Sequence, residues 1–122
     1  MITCGVWQER SKLLAVVLDD AGRASKPIRM GTSIPAAEGL VAHLDDTEIV
    51  IAEPLLALPI ARSAAASGRL WVAPTALIEP IRLAASLSAR GSAAMLARLP
   101  RIAAVRPLLH RRATDPRQLT LL

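Results

Sequence analysis

The chain has 122 residues, of which 52% are hydrophobic and 20% charged, and its net charge is +5. This length fits one domain with a real core, and the hydrophobic content argues against a disordered chain. No apolar run approaches membrane-spanning length, no signal peptide is expected, and the single cysteine excludes an internal disulfide. We therefore expect a cytoplasmic protein without a membrane partner.

The first third of the chain predicts three antiparallel strands. Residues 2–8 and 13–18 are apolar runs typical of strands, and residues 27–31 predict a third, shorter one. Between the second and third strands, the sequence DDAGR forms a corner in which Gly22 can take a positive φ. Together these segments predict a hairpin or meander.

From residue 32 onward, helices and strands are predicted to alternate. Thr32 or Ser33 is a suitable N-cap for a helix, and Pro35 falls in its first turn, where the missing N–H costs nothing. Residues 48–52 and 69–73 are short runs that are continuously apolar after one charged residue. Such runs are typical of strands buried on both faces, in a parallel sheet covered by helices.

Prolines and glycines mark the expected helix boundaries in the second half. Pro59 predicts a kink or a late start in the helix that follows residues 48–52, and Gly68 predicts its end. Pro80 is predicted to break the next helical region, leaving either one turn before the main helix or a bend. Gly91 and Pro100 are predicted to divide the remaining chain into helical pieces.

The predicted order of elements is β-β-β-α-β-α-β-α-α. It indicates one α/β domain over residues 1–112, with a mixed sheet, helices on both faces and a helical C-terminal region. Residues 113–122 have little periodicity and are predicted to be a flexible tail.

Four segments, taken in order, resemble a known family. They are CGVWQERSKLLAVVLDDAGR, IVIAEPLLALPIARSAAASG, LWVAPTALIEPIRLAASL and LSARGSAAMLARLP. From about residue 2 to 112 the chain resembles the N-terminal RuvC-like domain of the Piv/MooV-type transposases, the bridge-RNA-guided recombinases of insertion sequences. The resemblance implies a ribonuclease H-like fold.

The resemblance also implies four acidic positions, where carboxylates hold two divalent cations for phosphodiester chemistry. Trp7 stands at the first position, Glu53 keeps the second, and Ala89 and Ser92 stand at the last two. One carboxylate cannot hold two metals, so we expect neither a catalytic nor a metal site. Glu9 lies on the same strand face as Trp7 and could restore a site with Glu53. Otherwise Glu9 is a solvated charge, and Glu53 is an acid near a helix N-terminus.

The two tryptophans, the histidines and the cysteine have structural interpretations. Trp7 either fills the vacated pocket near Trp71, as a packing residue, or projects as a stacking platform or interface anchor. His43 and His110 are expected at helix surfaces or ends. Cys4, inside the first strand, is expected to be a small buried hydrophobe.

The charge is divided unequally between the two halves of the chain. Residues 1–60 carry five basic and eight acidic residues, a net of −3, whereas residues 61–122 carry ten arginines and two acids, a net of +8. The arginines are either solvated or form a surface that faces a polyanion. The candidate nucleic-acid-binding residues are Arg90, Arg98, Arg101, Arg106, Arg111 and Arg112.

Three functions remain open. The first is a catalytically inactive ribonuclease H-like domain without a cofactor, which serves binding and assembly in transposition or mobile-element DNA processing. The resemblance implies a homodimer, and a protein partner from a transposase or recombination system. The second is binding of DNA or RNA without cleavage, through the arginines. The third is a nuclease that uses Mg²⁺ with Glu53 and Glu9.

Overall fold

The computed structural model describes residues 1–112, so the predicted flexible tail, residues 113–122, lies outside the described residues. Six strands form one mixed sheet in the order β3-β2-β1-β4-β5-β6. These strands are β1 (Ile2–Glu9), β2 (Lys12–Leu18), β3 (Ile28–Met30), β4 (Thr47–Ala52), β5 (Leu70–Ala73) and β6 (His110–Arg112). The predicted α/β class and the mixed sheet are confirmed.

Four helices accompany the sheet. They are α1 (Ile34–His43), α2 (Pro59–Ala66), α3 (Thr75–Ala85) and α4 (Ala89–Arg98). Short 3-10 turns span Glu53–Ala57, Leu99–Arg101 and Arg106–Leu108. Within residues 1–112, no helix has both the length and the apolar character needed to cross a membrane.

The central strand β1 sets the direction of the sheet. It pairs with β2 in an antiparallel manner and with β4 in a parallel manner, so that Gly5 is opposite both Val16 and Val50. Strand β5 is parallel to β4, and β6 is antiparallel to β5. Since β1, β4 and β5 run in the same direction, their carboxyl ends lie at one edge of the sheet.

Helices cover both faces of the sheet, as predicted. A Cβ on Gly5 would overlap the carbonyl oxygen of Ala93 and lie 2.7 Å from the backbone nitrogen of Ala97, so α4 rests directly on β1. Because successive strand residues alternate between faces, Cys4 and Val6 point to the opposite face. There α1 and α2 pack against each other and complete the hydrophobic core.

Several predicted helix boundaries are confirmed. Ser33 is the N-cap of α1, and its Oγ accepts a hydrogen bond from the backbone N–H of Ala36 at 3.3 Å. Pro59 is the first residue of α2, which starts late, after a 3-10 turn. The helix ends before Gly68, whose φ of +70° is accessible to glycine.

The predicted division of a helix at Gly91 is wrong, and so is the prediction that a main helix starts after Pro80. Pro80 lies inside α3, and Gly91 lies in the first turn of α4, where its N–H binds the cap Ser88. The break falls between them, at Ser86, which adopts the left-handed conformation with φ 50°. The N–H of Leu87 then reaches back to a carbonyl of α3. This closure of the helix end satisfies backbone groups and needs no glycine or proline.

Strand β6 was not predicted. Its three residues, His110 to Arg112, are polar and exposed, so their sequence has none of the apolar pattern that indicates a strand. Pairing with β5 brings Arg111 opposite Trp71, and this tertiary contact defines the strand.

Candidate functional site

The carboxyl ends of the parallel strands are where open α/β sheets usually place a ligand crevice. Trp7 lies near this end of β1, Glu53 directly follows β4, and Thr75 begins α3 just after β5. Helix α4 runs over β1 with Ser92 toward Trp7 and Ala97 toward Thr3, whose Oγ1 donates to the Ala97 carbonyl. The structure therefore groups several predicted site positions at one edge.

The guanidinium of Arg82 contacts two of these positions, Trp7 and Ser92. Arg82 on α3 places its Cζ 4.2 Å from the centroid of the Trp7 indole. Its Nε donates to Ser92 Oγ at 2.9 Å, and its Nη1 donates to Glu79 Oε1 at 3.0 Å. We call Trp7, Glu79, Arg82 and Ser92 the Arg82 cluster. Two of its members stand at positions where the resemblance implies metal-binding acids.

Sequence reasoning did not select Arg82. The only local signal was its spacing of three residues from Glu79, which favours an ion pair on one helix face. The contacts with Trp7 and Ser92 join three separate elements of the fold. Such contacts depend on how α3 is placed over the sheet.

Trp7 is half-buried and packs against Val16, Ala93 and Ala94 on the α4 side of the sheet. Its indole therefore fills space between β1, β2 and α4, as one of the two interpretations predicted. The guanidinium of Arg82 lies over one face of the ring. The indole does not project freely as a stacking platform in this arrangement.

Trp71 makes a separate arrangement on β5, with β4 lying between it and the strand of Trp7. Its ring is buried and has the Cζ of Arg111 at 5.2 Å from the centroid. Its Nε1 is also buried and finds no hydrogen-bond partner within residues 1–112. Trp71 is thus a core residue. Arg82 lies over Trp7, and Arg111 lies over Trp71.

The two glutamates of the nuclease hypothesis each have a different partner. Glu53 Oε1 accepts a hydrogen bond from the backbone N–H of Thr75 at 3.0 Å, so this carboxylate caps α3. Glu9 forms an ion pair with Arg29 at 2.8 Å on the exposed surface. In the described part of the chain, no three His, Cys, Asp or Glu side chains converge in a way that could hold a metal ion.

Ala89 and Ser92, at the last two implied acidic positions, belong to the first turn of α4. Ala89 is its first residue, after the cap Ser88. Ser92 is fully buried, and its hydroxyl donates to the Ser88 carbonyl at 2.8 Å while it accepts from Arg82. The Ser92 hydroxyl thus links the start of α4 to the Arg82 cluster.

Three of the six candidate arginines are engaged within the fold. Arg101 donates from Nε to Thr3 Oγ1 at 3.1 Å, and its Nη2 lies within 2.8 Å of three backbone carbonyl oxygens, those of Met1, Leu18 and Asp19. This guanidinium fastens the chain after α4 to the ends of β1 and β2. Its main contribution is therefore to stability.

Arg106 and Arg111 also have internal partners. Arg106 Nε donates to the Pro100 carbonyl at 2.6 Å. Arg111 pairs with Glu48 at 3.0 Å and donates to the Gly68 carbonyl at 2.9 Å, in addition to covering the indole of the tryptophan on β5. Arg111 in this way holds β6 at the edge of the sheet.

Arg90, Arg98 and Arg112 form the other half of the candidate set. All three are exposed, and their side chains have no hydrogen bond or ion pair with the described residues. Arg90 and Arg98 lie on α4, and Arg112 ends β6. We call these three residues the free arginines, because their guanidinium groups have no partner among residues 1–112.

Cys4 and His43 lie where the sequence predicted them, whereas the prediction of a helical position for His110 is wrong, because pairing with β5 places it in strand β6. Cys4 is fully buried, and this burial raises the pKa of its thiol to about 12. The thiol is therefore neutral and unreactive at physiological pH. His43 and His110 are both exposed, one at the end of α1 and the other in β6.

No family model matches the chain, and no curated protein sequence matches it.

Chemically, the Arg82 cluster offers a fixed cation that is already held by an aromatic ring, a carboxylate and a hydroxyl. The free arginines offer solvated cations suited to phosphate or carboxylate. These two features support different functions.

Proposed function

We propose that this chain is a catalytically inactive ribonuclease H-like domain that acts as a binding and assembly module. The module is linked to transposition or mobile-element DNA processing. Its partners are a second copy of the chain or a protein of a transposase or recombination system. Three antiparallel strands followed by two parallel ones, in the order β3-β2-β1-β4-β5, support the ribonuclease H-like fold.

The observation that carries this proposal is the position of Arg82. Enzymes that resemble this chain need carboxylates around two divalent cations, which stabilise the attacking and leaving oxygens. Here the two positions Trp7 and Ser92 contact a guanidinium instead. A positive charge about 4 Å away disfavours a divalent cation by several kcal/mol at the effective dielectric of a protein surface. The cluster is thus better suited to hold the fold together than to bind metal.

The experiment is a cleavage assay with branched, duplex and single-stranded DNA in Mg²⁺ or Mn²⁺. We expect no cleavage by the natural chain or by the Glu53→Ala variant. In the natural chain, the Glu53 carboxylate caps α3. Metal-dependent cleavage that disappears in Glu53→Ala would overturn the proposal. It would favour a nuclease in which Glu53 and Glu9 give up their contacts with Thr75 and Arg29.

A second function, binding of DNA or RNA without cleavage, is supported by the free arginines. Each phosphate that an arginine neutralises contributes about −0.9 to the slope of log K against log salt for duplex DNA. Three contacts predict a slope of about −2.7, and the slope would be shallower for single strands. A titration with duplex DNA at several salt concentrations measures it. Affinity that is independent of salt would rule out this function.

A further inference from the structure

A cavity of about 490 Å³ lies between α1, α2 and the 3-10 turn Glu53–Ala57, and we call it the α1–α2 cavity. The turn directly follows β4, so the cavity lies at the carboxyl end of that strand. Open α/β sheets usually place their ligand crevices at this edge, and the volume is within the range of small-molecule sites. The Arg82 cluster lies on the opposite face of the sheet, so the cavity is a separate feature.

The local sequence explains why the cavity is open. Pro59 lacks the backbone N–H that a helix interior needs, so α2 starts only at this residue, after the 3-10 turn. Leu56, in the turn, is 36% exposed, and Ile34, at the start of α1, is 60% exposed. Both side chains line the cavity, and an apolar group that covers them removes their surface from water, which favours binding.

The apolar walls of the α1–α2 cavity are aliphatic. Its large apolar residues are Ile34, Leu56, Leu58 and Pro59, and none of the described residues that line it is aromatic. A flat aromatic ligand therefore finds no ring on which to stack. A branched aliphatic group, in contrast, can pack closely against these side chains.

Two opposite charges line the same cavity without pairing. Glu38 belongs to α1 and Arg62 belongs to α2, so they stand on different walls. Both side chains are exposed, and neither forms an ion pair within residues 1–112. A ligand with only a carboxylate is attracted by Arg62 but repelled by Glu38, and a ligand with only an ammonium group meets the reverse. A ligand that carries both charges is attracted by both walls.

We propose that the α1–α2 cavity binds a small zwitterion with a branched aliphatic group, which is the chemistry of leucine or of a leucine dipeptide. The carboxylate of the ligand pairs with Arg62, and its ammonium group pairs with Glu38. Its aliphatic group packs against Ile34 and Leu56. This inference goes beyond the proposed function and does not depend on it, because it uses the other face of the sheet.

The shape of the cavity bears on the size and affinity of the ligand. A second recess continues between the two helices and shares Glu38, Ser63 and Ala66 with the cavity, so there is room for a dipeptide. Because both charged side chains are solvated and the cavity is open, binding is weak. We expect a dissociation constant on the order of 0.1–1 mM for leucine.

An NMR titration of the full chain with leucine tests the proposal. The backbone amide signals that shift should belong mainly to α1, α2 and the 3-10 turn, and the shifts should saturate. Isocaproate, which is leucine without its ammonium group, and leucinamide, which lacks the carboxylate, should each bind at least about 10-fold more weakly. Glycine has both charges but no aliphatic group, so it should also bind more weakly. All of these ligands are compared on the natural chain, so no variant needs to fold.

A titration with leucyl-leucine distinguishes the two sources of this chemistry. Tighter binding of the dipeptide than of leucine identifies a peptide site, and the reverse identifies a site for the free amino acid. Glu38→Gln and Arg62→Gln should each weaken the binding of leucine by at least about 10-fold. Arg23→Gln is the matched control, because it removes the charge of an exposed arginine outside the cavity and should leave the affinity unchanged.

Several results would overturn the inference. These are the absence of saturating shifts, shifts scattered over the whole surface, and equal affinities for leucine and isocaproate or for leucine and glycine. Unchanged affinity in both Glu38→Gln and Arg62→Gln would do the same. None of these results touches the proposed function, whereas metal-dependent DNA cleavage would overturn that function and leave the zwitterion site in place.

Discussion

The guanidinium of Arg82 lies over the indole of Trp7, with Cζ 4.2 Å from the ring centroid. Through its bonds to Ser92 and Glu79 the same group joins α3 to β1 and α4. Helix α3 buries only Ile78, so this polar and aromatic contact is a major part of what attaches the helix to the sheet. The contact also decides how this edge of the sheet is interpreted, because it places a cation of the protein itself beside Trp7.

Arg82→Met should therefore lower the free energy of unfolding by about 1–3 kcal/mol. The substitution keeps the length of the side chain but removes the stacked charge and the hydrogen bonds to Ser92 and Glu79. Denaturant unfolding followed by tryptophan fluorescence measures the change. Arg90→Met is the control, since that side chain is exposed and has no described partner. Equal effects of the two substitutions would contradict the structural role of Arg82.

Gly5→Ala should be one of the most destabilising small substitutions in the chain. The added methyl group would overlap the carbonyl oxygen of Ala93, which is helix backbone and cannot rotate away. We expect a loss of about 3 kcal/mol or more, or no folded protein. Gly39→Ala is the matched control, because that glycine lies inside α1 with open space around it. The Gly39→Ala variant should have a free energy of unfolding about 0.5–1 kcal/mol higher than the natural chain, as measured by thermal or denaturant unfolding.

These two glycines show which parts of the fold the sequence could predict. Apolar runs located β1, β2, β4 and β5, and Ser33 and Pro59 marked helix starts, because these signals are local. The need for glycine at position 5 comes from the close approach of α4, which no neighbouring residue indicates. Strand β6 likewise exists through its pairing with β5.

The candidate site was predictable only in part. The resemblance implied four acidic positions, and Trp7, Glu53 and Ser92 stand at three of them. In the structure, these three residues lie at the edge of the sheet where the parallel strands end. The contact of Glu53 with Thr75 follows from a strand-end acid near a helix N-terminus, as one interpretation expected. The role of Arg82 depends on the placement of α3 and could not be read from its local sequence.

The burial of Cys4 makes the fold less stable at alkaline pH. Burial raises the pKa of its thiol from the ordinary 9.0 to about 12, whereas the unfolded chain ionises near the ordinary value. This contribution to stability is complete below about pH 9 and is lost as the pH rises toward 12. Relative to Cys4→Ala, the natural chain should lose about 1.4 kcal/mol of unfolding free energy between pH 8 and pH 10.

Denaturant titrations of both proteins at the two pH values measure this difference. Thiol reagents provide a second readout, since a buried neutral thiol reacts only when the chain opens. Parallel losses in the natural chain and Cys4→Ala, or rapid labelling of the native protein at neutral pH, would show that Cys4 is accessible.

Variants of Arg101 and Arg98 distinguish an arginine that stabilises the fold from an exposed arginine on the surface proposed for nucleic acid. Arg101→Gln removes contacts to Thr3 and to three backbone carbonyls, and should cost about 2 kcal/mol or more of stability. Arg98→Gln, at an exposed position on α4, should leave stability within about 0.5 kcal/mol. If duplex DNA binds this surface, Arg98→Gln should also make the slope of log K against log salt shallower by about 1.

The pair of variants distinguishes the two effects because both remove one positive charge. Net charge alone would weaken DNA binding equally in both, and would leave stability nearly the same. A specific contact weakens binding mainly in Arg98→Gln, measured on protein that circular dichroism shows to be folded. If binding and its salt slope are the same in Arg98→Gln as in the natural chain, Arg98 does not contact the phosphates, and the second function loses one of the three arginines that support it.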